Sequence, residues 1–495
     1  MALAAKLAAF GGLHPGDNEV PWAPIPVGLA IDDQRRFEAR TYLTDGYGIR
    51  RRIEATPGAS RPLSELAEVW QPSRLKGFVV PDGTGLPFLS AGQVFESRPR
   101  VRKWLARRLV PDADTRLVST DWLLLSRSGE VGKVTAVYPE HLGKVITDDL
   151  LRIVPNDQDD YGWLYAYMRT PTFFAIMRAS QYGHMIKHLE SEHVLSMPVV
   201  LPDLAVRKRI GMAAGEAVAK RVLARSVQVR ADARYASMVN PGGTVPGRVD
   251  FESVRLADIA TGRRRFEGQF ARSDVRRLDA MMRAAATRGV DSVGEVSESV
   301  TLGNRFRRYF GPKGTPYRSA GELFDVNAPV TKRIYSALLD DPEPYMLHAG
   351  WIIMACSGQT YGLLGRTMVL TARHEGVFGS HDLIRIVPDT SKIRTGYLQT
   401  VLNHSEYGRP LVVRHAFGTS VPHLDPVDIK IVPVPRFGAG VENEIAELSD
   451  EATRLSSEAD ALETAAVRDA EEAIARCTRS HGGVLGTVGS EDQTT

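Results

Sequence analysis

A chain of 495 residues, 43% hydrophobic and 24% charged, has the make-up of a soluble globular protein and room for about two to four domains. A net charge of +3 does not by itself announce a polyanion partner, so any phosphate-binding surface must come from local clusters such as residues 98–108 and 305–308. The two cysteines, Cys356 and Cys477, argue against a disulfide framework or a cysteine zinc site and fit a reducing cytoplasm, and no apolar run is long enough to span a bilayer.

In chain order, residues 1–35 read as an N-terminal arm. The start, Met1 to Phe10, is mildly apolar but interrupted by Lys6, which does not suit a signal peptide. Residues 36–202 read as a mixed domain of short β runs, among them residues 122–125 and 144–146, with a helix over 161–177. A long helix is expected over 203–238, ended by Asn240-Pro241-Gly242-Gly243. Residues 239–436 repeat the first pattern behind a linker, with β runs at 351–354 and 367–370 and a helix over 396–404. A second long helix is expected over 437–477. The tail, 478–495, is rich in Gly, Ser, Thr and acids and is expected to be disordered.

Self-comparison organises these elements. Arg36-Phe37-Glu38 recurs as Arg265-Phe266-Glu267, Pro87-Phe88-Leu89-Ser90-Ala91-Gly92 as Pro316-Tyr317-Arg318-Ser319-Ala320-Gly321, and Ser128-Gly129 as Ser357-Gly358, all 229 residues apart. The offset then moves to 233, where Asp149-Leu150-Leu151-Arg152-Ile153-Val154-Pro155 matches Asp382-Leu383-Ile384-Arg385-Ile386-Val387-Pro388, and to 235, where His188-Leu189 and Pro198-Val199 match His423-Leu424 and Pro433-Val434. Order and register kept over that distance imply a tandem duplication. Val441, Ile445, Leu448, Ala452, Leu455, Ala459, Leu462 and Ala466 alternate in steps of four and three, as in a coiled-coil seam. The same offset of 235 carries them onto Val206, Ile210, Ala213, Ala217, Lys220, Ala224, Val227 and Ala231. Lys220 is the polar position in that seam.

Three stretches carry a resemblance to a family. Ser126-Arg127-Ser128-Gly129-Glu130-Val131-Gly132-Lys133-Val134 resembles the Ser-Gly-x-x-Gly loop of type I restriction-modification specificity subunits. Met197-Pro198-Val199-Val200-Leu201-Pro202 before a long helix resembles their domain-to-helix junction, and residues 254–260 resemble the opening of a recognition domain. With the duplication, the likeness covers roughly residues 36 to 475. It departs at Asp203-Leu204-Ala205-Val206-Arg207, where the family often has Glu-Gln, and at Gln359-Thr360-Tyr361-Gly362 in the second copy. The resemblance implies an α+β chain of two tandem-duplicated mixed α/β target-recognition domains, separated by long helices that form an antiparallel coiled coil. It implies that each domain reads one half of a split double-stranded DNA site. It also implies partners: two adenine methyltransferase subunits and a motor-nuclease restriction subunit. S-adenosylmethionine, ATP and magnesium would be held by those partners and no cofactor by this chain.

Sequence readout needs polar side chains at base edges and cations on phosphates. The candidates in the first copy are Arg98, Arg100, Arg102, Lys103, Arg127, Lys133, Gln181, Tyr182, His184 and Lys187. In the second they are Arg305, Arg307, Arg308, Lys313, Gln359, Tyr361, Arg414, His415 and Thr419. All are expected in polar loops outside the β core. Gln181 and Gln359 suit adenine, an arginine suits guanine, and the Ser-Gly pairs more naturally shape turns. An enzyme is disfavoured: there is no Asn-Pro-Pro-aromatic tetrad, no Gly-rich cofactor loop after a strand, and Gly129 to Lys133 has the wrong spacing for a phosphate loop. Asp425, Asp428 and Lys430 faintly suggest a nuclease triad, but their counterpart His193-Val194-Leu195 carries no such chemistry. His184 and His188 are four apart, as in a metal pair on a helix, yet only His188 has a twin. The alternatives are a DNA-reading subunit of another phage-defence or methylation-only system, and a coiled-coil scaffold without sequence specificity.

Overall fold

The structure, a computed structural model, describes residues 42, 44–180, 188–245, 247, 253–260, 265 and 267–479. It divides into two units, one drawn from Gly16–Ala219 and Ala459–Thr495, the other from Lys220–Glu458. Both divisions cut through long helices, Leu204–Val239 and Ala439–Arg479, so each unit holds a globular part and a stretch of each helix.

Among the described residues of the first unit the short strands are β1 (Ser60–Pro62), β2 (Ala67–Trp70), β3 (Val79–Val80), β4 (Leu86–Leu89), β5 (Lys103–Leu105), β6 (Leu123–Ser126), β7 (Val134–Ala136), β8 (Val145–Ile146), β9 (Leu150–Pro155) and β10 (Pro198–Val200). One antiparallel sheet has the order β2-β9-β6-β7. Its strands β6 and β9 are buried on both faces, which is why they read as continuous apolar runs rather than alternating ones. A second sheet, β3-β5-β4-β8, contains one parallel pair, β4 with β8. The short pair β1·β10 ties the start of the domain to its end. The helix expected over 161–177 is two helices, Gln158–Met168 and Pro171–Ser180. Pro171 ends the first, because a residue before proline avoids helical geometry, and opens the second, where its missing N–H costs nothing.

The second unit holds β11 (Val290–Ser292), β12 (Ser297–Leu302), β13 (Phe310–Arg318), β14 (Lys332–Ile334), β15 (Met346–Leu347), β16 (Ile352–Ala355), β17 (Thr367–Val369), β18 (Val377–Gly379), β19 (Leu383–Pro388) and β20 (Pro433–Pro435). Its antiparallel sheet runs β12-β19-β16-β17, in the order of β2-β9-β6-β7, and the registers match: Val300 faces Ile386 and Thr301 faces Arg385, as Val69 faces Ile153 and Trp70 faces Arg152. The parallel pair β13·β18 sets Tyr317 against Phe378, as β4·β8 sets Phe88 against Val145. The outer strands differ. β3 flanks β5 in the first unit, whereas β13 itself bulges back onto Ile334 and β15 is added beside β18 in the second.

Each globular part rests on the helix that follows it through a glycine. A Cβ on Gly162 would lie 2.2 Å from the Gly211 carbonyl oxygen, and one on Gly396 would lie 2.6 Å from that of Ala446. Contacts between the two long helices are present within each unit. In the first, Arg209 pairs with Asp469 at 2.7 Å. In the second, Lys220 reaches Glu458 at 3.1 Å and Arg234 reaches Glu444 at 2.8 Å, around an apolar cluster of Ala224, Val227, Ala452 and Leu455. Every expected seam position is buried or half-buried. The second long helix runs to Arg479, two residues past its expected end.

Candidate nucleic-acid interface

In the second unit the connection from β12 to β13 carries the Arg305–Arg308 cluster. Phe306 anchors it: its ring packs 4.6 Å from Tyr345, 5.4 Å from Phe378 and 5.6 Å from His381. Tyr345 also donates its hydroxyl to the Asn304 carbonyl at 3.0 Å. With Phe306 held inward, Arg305 and Arg307 lie exposed on either side of it. Arg308 turns to His381 at 3.3 Å and Asp382 at 3.9 Å. Burial, then the charges of Arg308 and Arg305, hold His381 below the ordinary imidazole value, while Asp382 acts the other way.

Asp382 links this cluster to the next loop by accepting from the Ser357 hydroxyl at 3.0 Å. Gly358 sits at φ 129° and donates its N–H to Pro422, and Ser357 bridges His423. Gln359 donates to the Ser420 carbonyl at 3.1 Å, and Tyr361 is 64% exposed. A chain of contacts therefore joins Arg308, Asp382, the Ser357 loop and the 417–423 loop that bears Thr419. Lys313 is exposed too, but within β13 and not in a loop, and Lys103 likewise lies on β5. Both therefore depart from the expectation that every candidate lies outside the strands: they are outward positions of strands that have a partner on each side.

Arg414 and His415 lie elsewhere. Arg414 stacks 4.8 Å from the Phe270 ring, donates to the Phe270 carbonyl and faces Asp279 at 3.6 Å. His415 is 5% exposed, beside Asp428. Arg265 holds the base of this loop by donating to the carbonyls of His415 and Ala416 and to Asp428. Asp428 is thus buried in an ion pair, and Asp425 caps the short helix Pro426–Lys430 by accepting from the Val427 N–H.

In the first unit the Ser-Gly loop is built the same way: Ser128 donates to Asp149 at 2.8 Å and bridges His188. Arg127 crosses to Glu190 at 2.7 Å and to the Leu189 carbonyl, and Lys133 pairs with Glu130. Arg102 pairs with Glu96, and the Arg100 carbonyl accepts from Gln93. Arg98 is half-buried and Lys103 exposed. Gln181, Tyr182, His184 and Lys187 lie outside the described residues, as do the arm and most of the tail. Among the described residues no group of three or more His, Cys, Asp or Glu could hold a metal ion, and no helix is long and apolar enough to cross a membrane.

The sequence reading missed Arg74 and Lys76. They are exposed in the β2–β3 connection, the counterpart of the β12–β13 connection, with Leu75 N–H bonded to Asp148 beside them. The repeat was a signal that pointed to them: the strand pairing on either side sets Arg74 and Lys76 where the second unit has Arg305 and Arg307.

No family model matches the chain, and no curated protein is significantly similar to it in sequence. Solved structures do match over most of its length. One is a type I restriction-modification system S subunit from M. genitalium, with 11% identity and a TM-score of 0.35 over 86% of this chain and 98% of that one. Another belongs to work on complex assembly and conformational transition of the type I R-M system, with 14% identity and a TM-score of 0.26 over 85% and 98%. A third is an HsdS subunit from Thermoanaerobacter tengcongensis, with 13% identity and a TM-score of 0.26 over 86% and 99%.

Proposed function

We propose that this chain is a non-catalytic, sequence-specific double-stranded DNA recognition subunit of a type I restriction-modification complex. The observation that carries the reading is internal. The same antiparallel sheet, the same parallel pair and the same Ser-Gly-to-Asp loop occur twice, each with exposed cations in the equivalent connection. Two similar readers on one chain suit a bipartite site, with phosphate contacts setting register and the loops reading bases. The helices act as a spacer in this reading. As the residue number rises along one, its partner's falls along the other, through Arg209–Asp469, Lys220–Glu458 and Arg234–Glu444, the pattern of an antiparallel coiled coil. Two methyltransferase subunits and a motor-nuclease subunit would supply the chemistry and hold S-adenosylmethionine, ATP and magnesium.

The test is selection by the full chain from a pool of random duplexes. Two conserved blocks at a fixed spacing are expected. A scaffold enriches no motif, and a single uninterrupted block would sink the paired-reader arrangement.

A further inference from the structure

One surface of the first unit takes no part in the Ser-Gly loop or its ion pairs. Phe78 is 63% exposed and Val79 is 61% exposed, both at the start of the small sheet. Single exposed apolar residues are ordinary, but these are rigidly presented. Ala106 donates its N–H to the Phe78 carbonyl at 2.9 Å, and Val79 lies opposite Leu105, so the segment is one side of a β pair and not a loose loop. Cations frame it: Arg74 and Lys76 precede Phe78, and Arg107 and Arg108 follow on the facing side of the pair, all exposed. The acids close in sequence are engaged or set apart. Asp112 is bound by Arg116 and Ser73, Asp148 accepts from Leu75 N–H, and Asp82 sits in the turn beyond β3.

The second unit supplies the comparison. Tyr335 donates its N–H to the Tyr309 carbonyl as Ala106 does to Phe78, and Phe310 lies opposite Ile334 as Val79 lies opposite Leu105, so Tyr309 stands for Phe78, and Arg305 and Arg307 stand for Arg74 and Lys76. Both connections therefore carry two cations ahead of a ring, but Phe78 is exposed where Tyr309 is half-buried. A duplex accepts both kinds of group: phosphates take the cation, and a base step takes an apolar wedge that partly unstacks it.

We propose that Phe78 is such a wedge, inserted at a base step of the first domain's half-site while Arg74, Lys76, Arg107 and Arg108 hold the flanking phosphates. The proposal rests on the DNA-reading function above.

The experiment uses the full chain and the duplex it selects from a random pool, with 2-aminopurine placed at each half-site position in turn. Binding should raise the fluorescence at one step with the wild-type chain and with Phe78→Trp, and not with Phe78→Ala. Phe78→Ala should weaken binding roughly tenfold, as removal of one base–aromatic stack does, with an unchanged salt slope. Lys76→Ala should lower that slope by about 0.9. Phe78 is exposed, so an unchanged melting curve is expected for each variant. A wild-type chain that enriches no motif overturns the DNA-reading function and the wedge with it. A motif enriched and bound equally well by Phe78→Ala overturns the wedge alone. So does a Phe78→Ala variant that binds DNA normally but no longer binds a methyltransferase subunit, which would make the patch a protein contact.

Discussion

Arg152 and Arg385 occupy the same place in the two globular parts and do the same work; Phe78 and Tyr309 occupy the same place and do not, Phe78 being 63% exposed and Tyr309 half-buried. Arg152 is fully buried in β9 and donates to the carbonyls of Ile146 and Thr147 at 2.9 Å and of Leu150 at 2.5 Å. Arg385, in β19, donates to Leu383 at 2.8 Å, Tyr345 at 3.1 Å and Ser380 at 3.5 Å. Burial pushes both guanidinium groups down to about 10, still charged at neutral pH. Each fastens the turn that leads into its strand, where carbonyls would otherwise be buried unbonded. An interior of that kind tolerates little change, while an outward connection can expose a ring in one copy and half-bury it in the other.

The most damaging way to probe the shared interior is Gly162→Val. Its side chain would enter the backbone of Gly211, and a loss of about 3 kcal/mol or more is expected in urea denaturation. Gly396→Val should cost less, because one of its close neighbours is the Asp450 carboxylate, which can move aside. Equal losses would mean that the two domains dock alike in detail. Next come Arg152→Met and Arg385→Met, each expected to cost about 2 kcal/mol by leaving buried carbonyls unpartnered. A loss at one position and none at the other would break the equivalence.

The outward comparison gives smaller effects on stability and a clear one on binding. Replacing Arg305, Arg307 and Arg308 with Ala should leave the melting temperature unchanged and flatten the salt dependence of DNA binding, by about 0.9 in slope for each phosphate no longer neutralised. An unchanged slope would mean that the cluster faces only solvent. The smallest effect is expected at the seam: Lys220→Leu removes a half-exposed pair with Glu458 and should change stability by less than about 1 kcal/mol.

The repeat made the paired sheets legible, because matched residues at constant offset occupy matched registers: Leu150–Pro155 and Leu383–Pro388 became β9 and β19. The burial of the 206–231 and 441–466 positions was legible from their four-three spacing. The roles of individual polar residues were not. Arg152 and Arg385 stood inside the repeated stretch, but an arginine flanked by Leu, Ile and Val gives no sign of whether it bonds inward or points out. Arg414 and His415 looked like loop cations, yet Phe270, Asp279 and Asp428, remote in sequence, enclose them. Arg127 likewise meets Glu190 only once the chain has folded.

The path of the chain through the two units sets an order on its own synthesis. Among the described residues the second unit is one run, Lys220–Glu458, whereas the first needs Ala459 onward to be whole. Until then Tyr165 and Arg169 lack the buried Glu463 carboxylate that receives them at 2.9 and 2.7 Å, and Thr172 lacks Glu471. At about 5–20 residues per second, the roughly 240 intervening residues keep the ribosome occupied for on the order of ten seconds or longer. The domain translated first is thus completed last, and a chain released before Ala459 would carry a finished second unit beside an unfinished first.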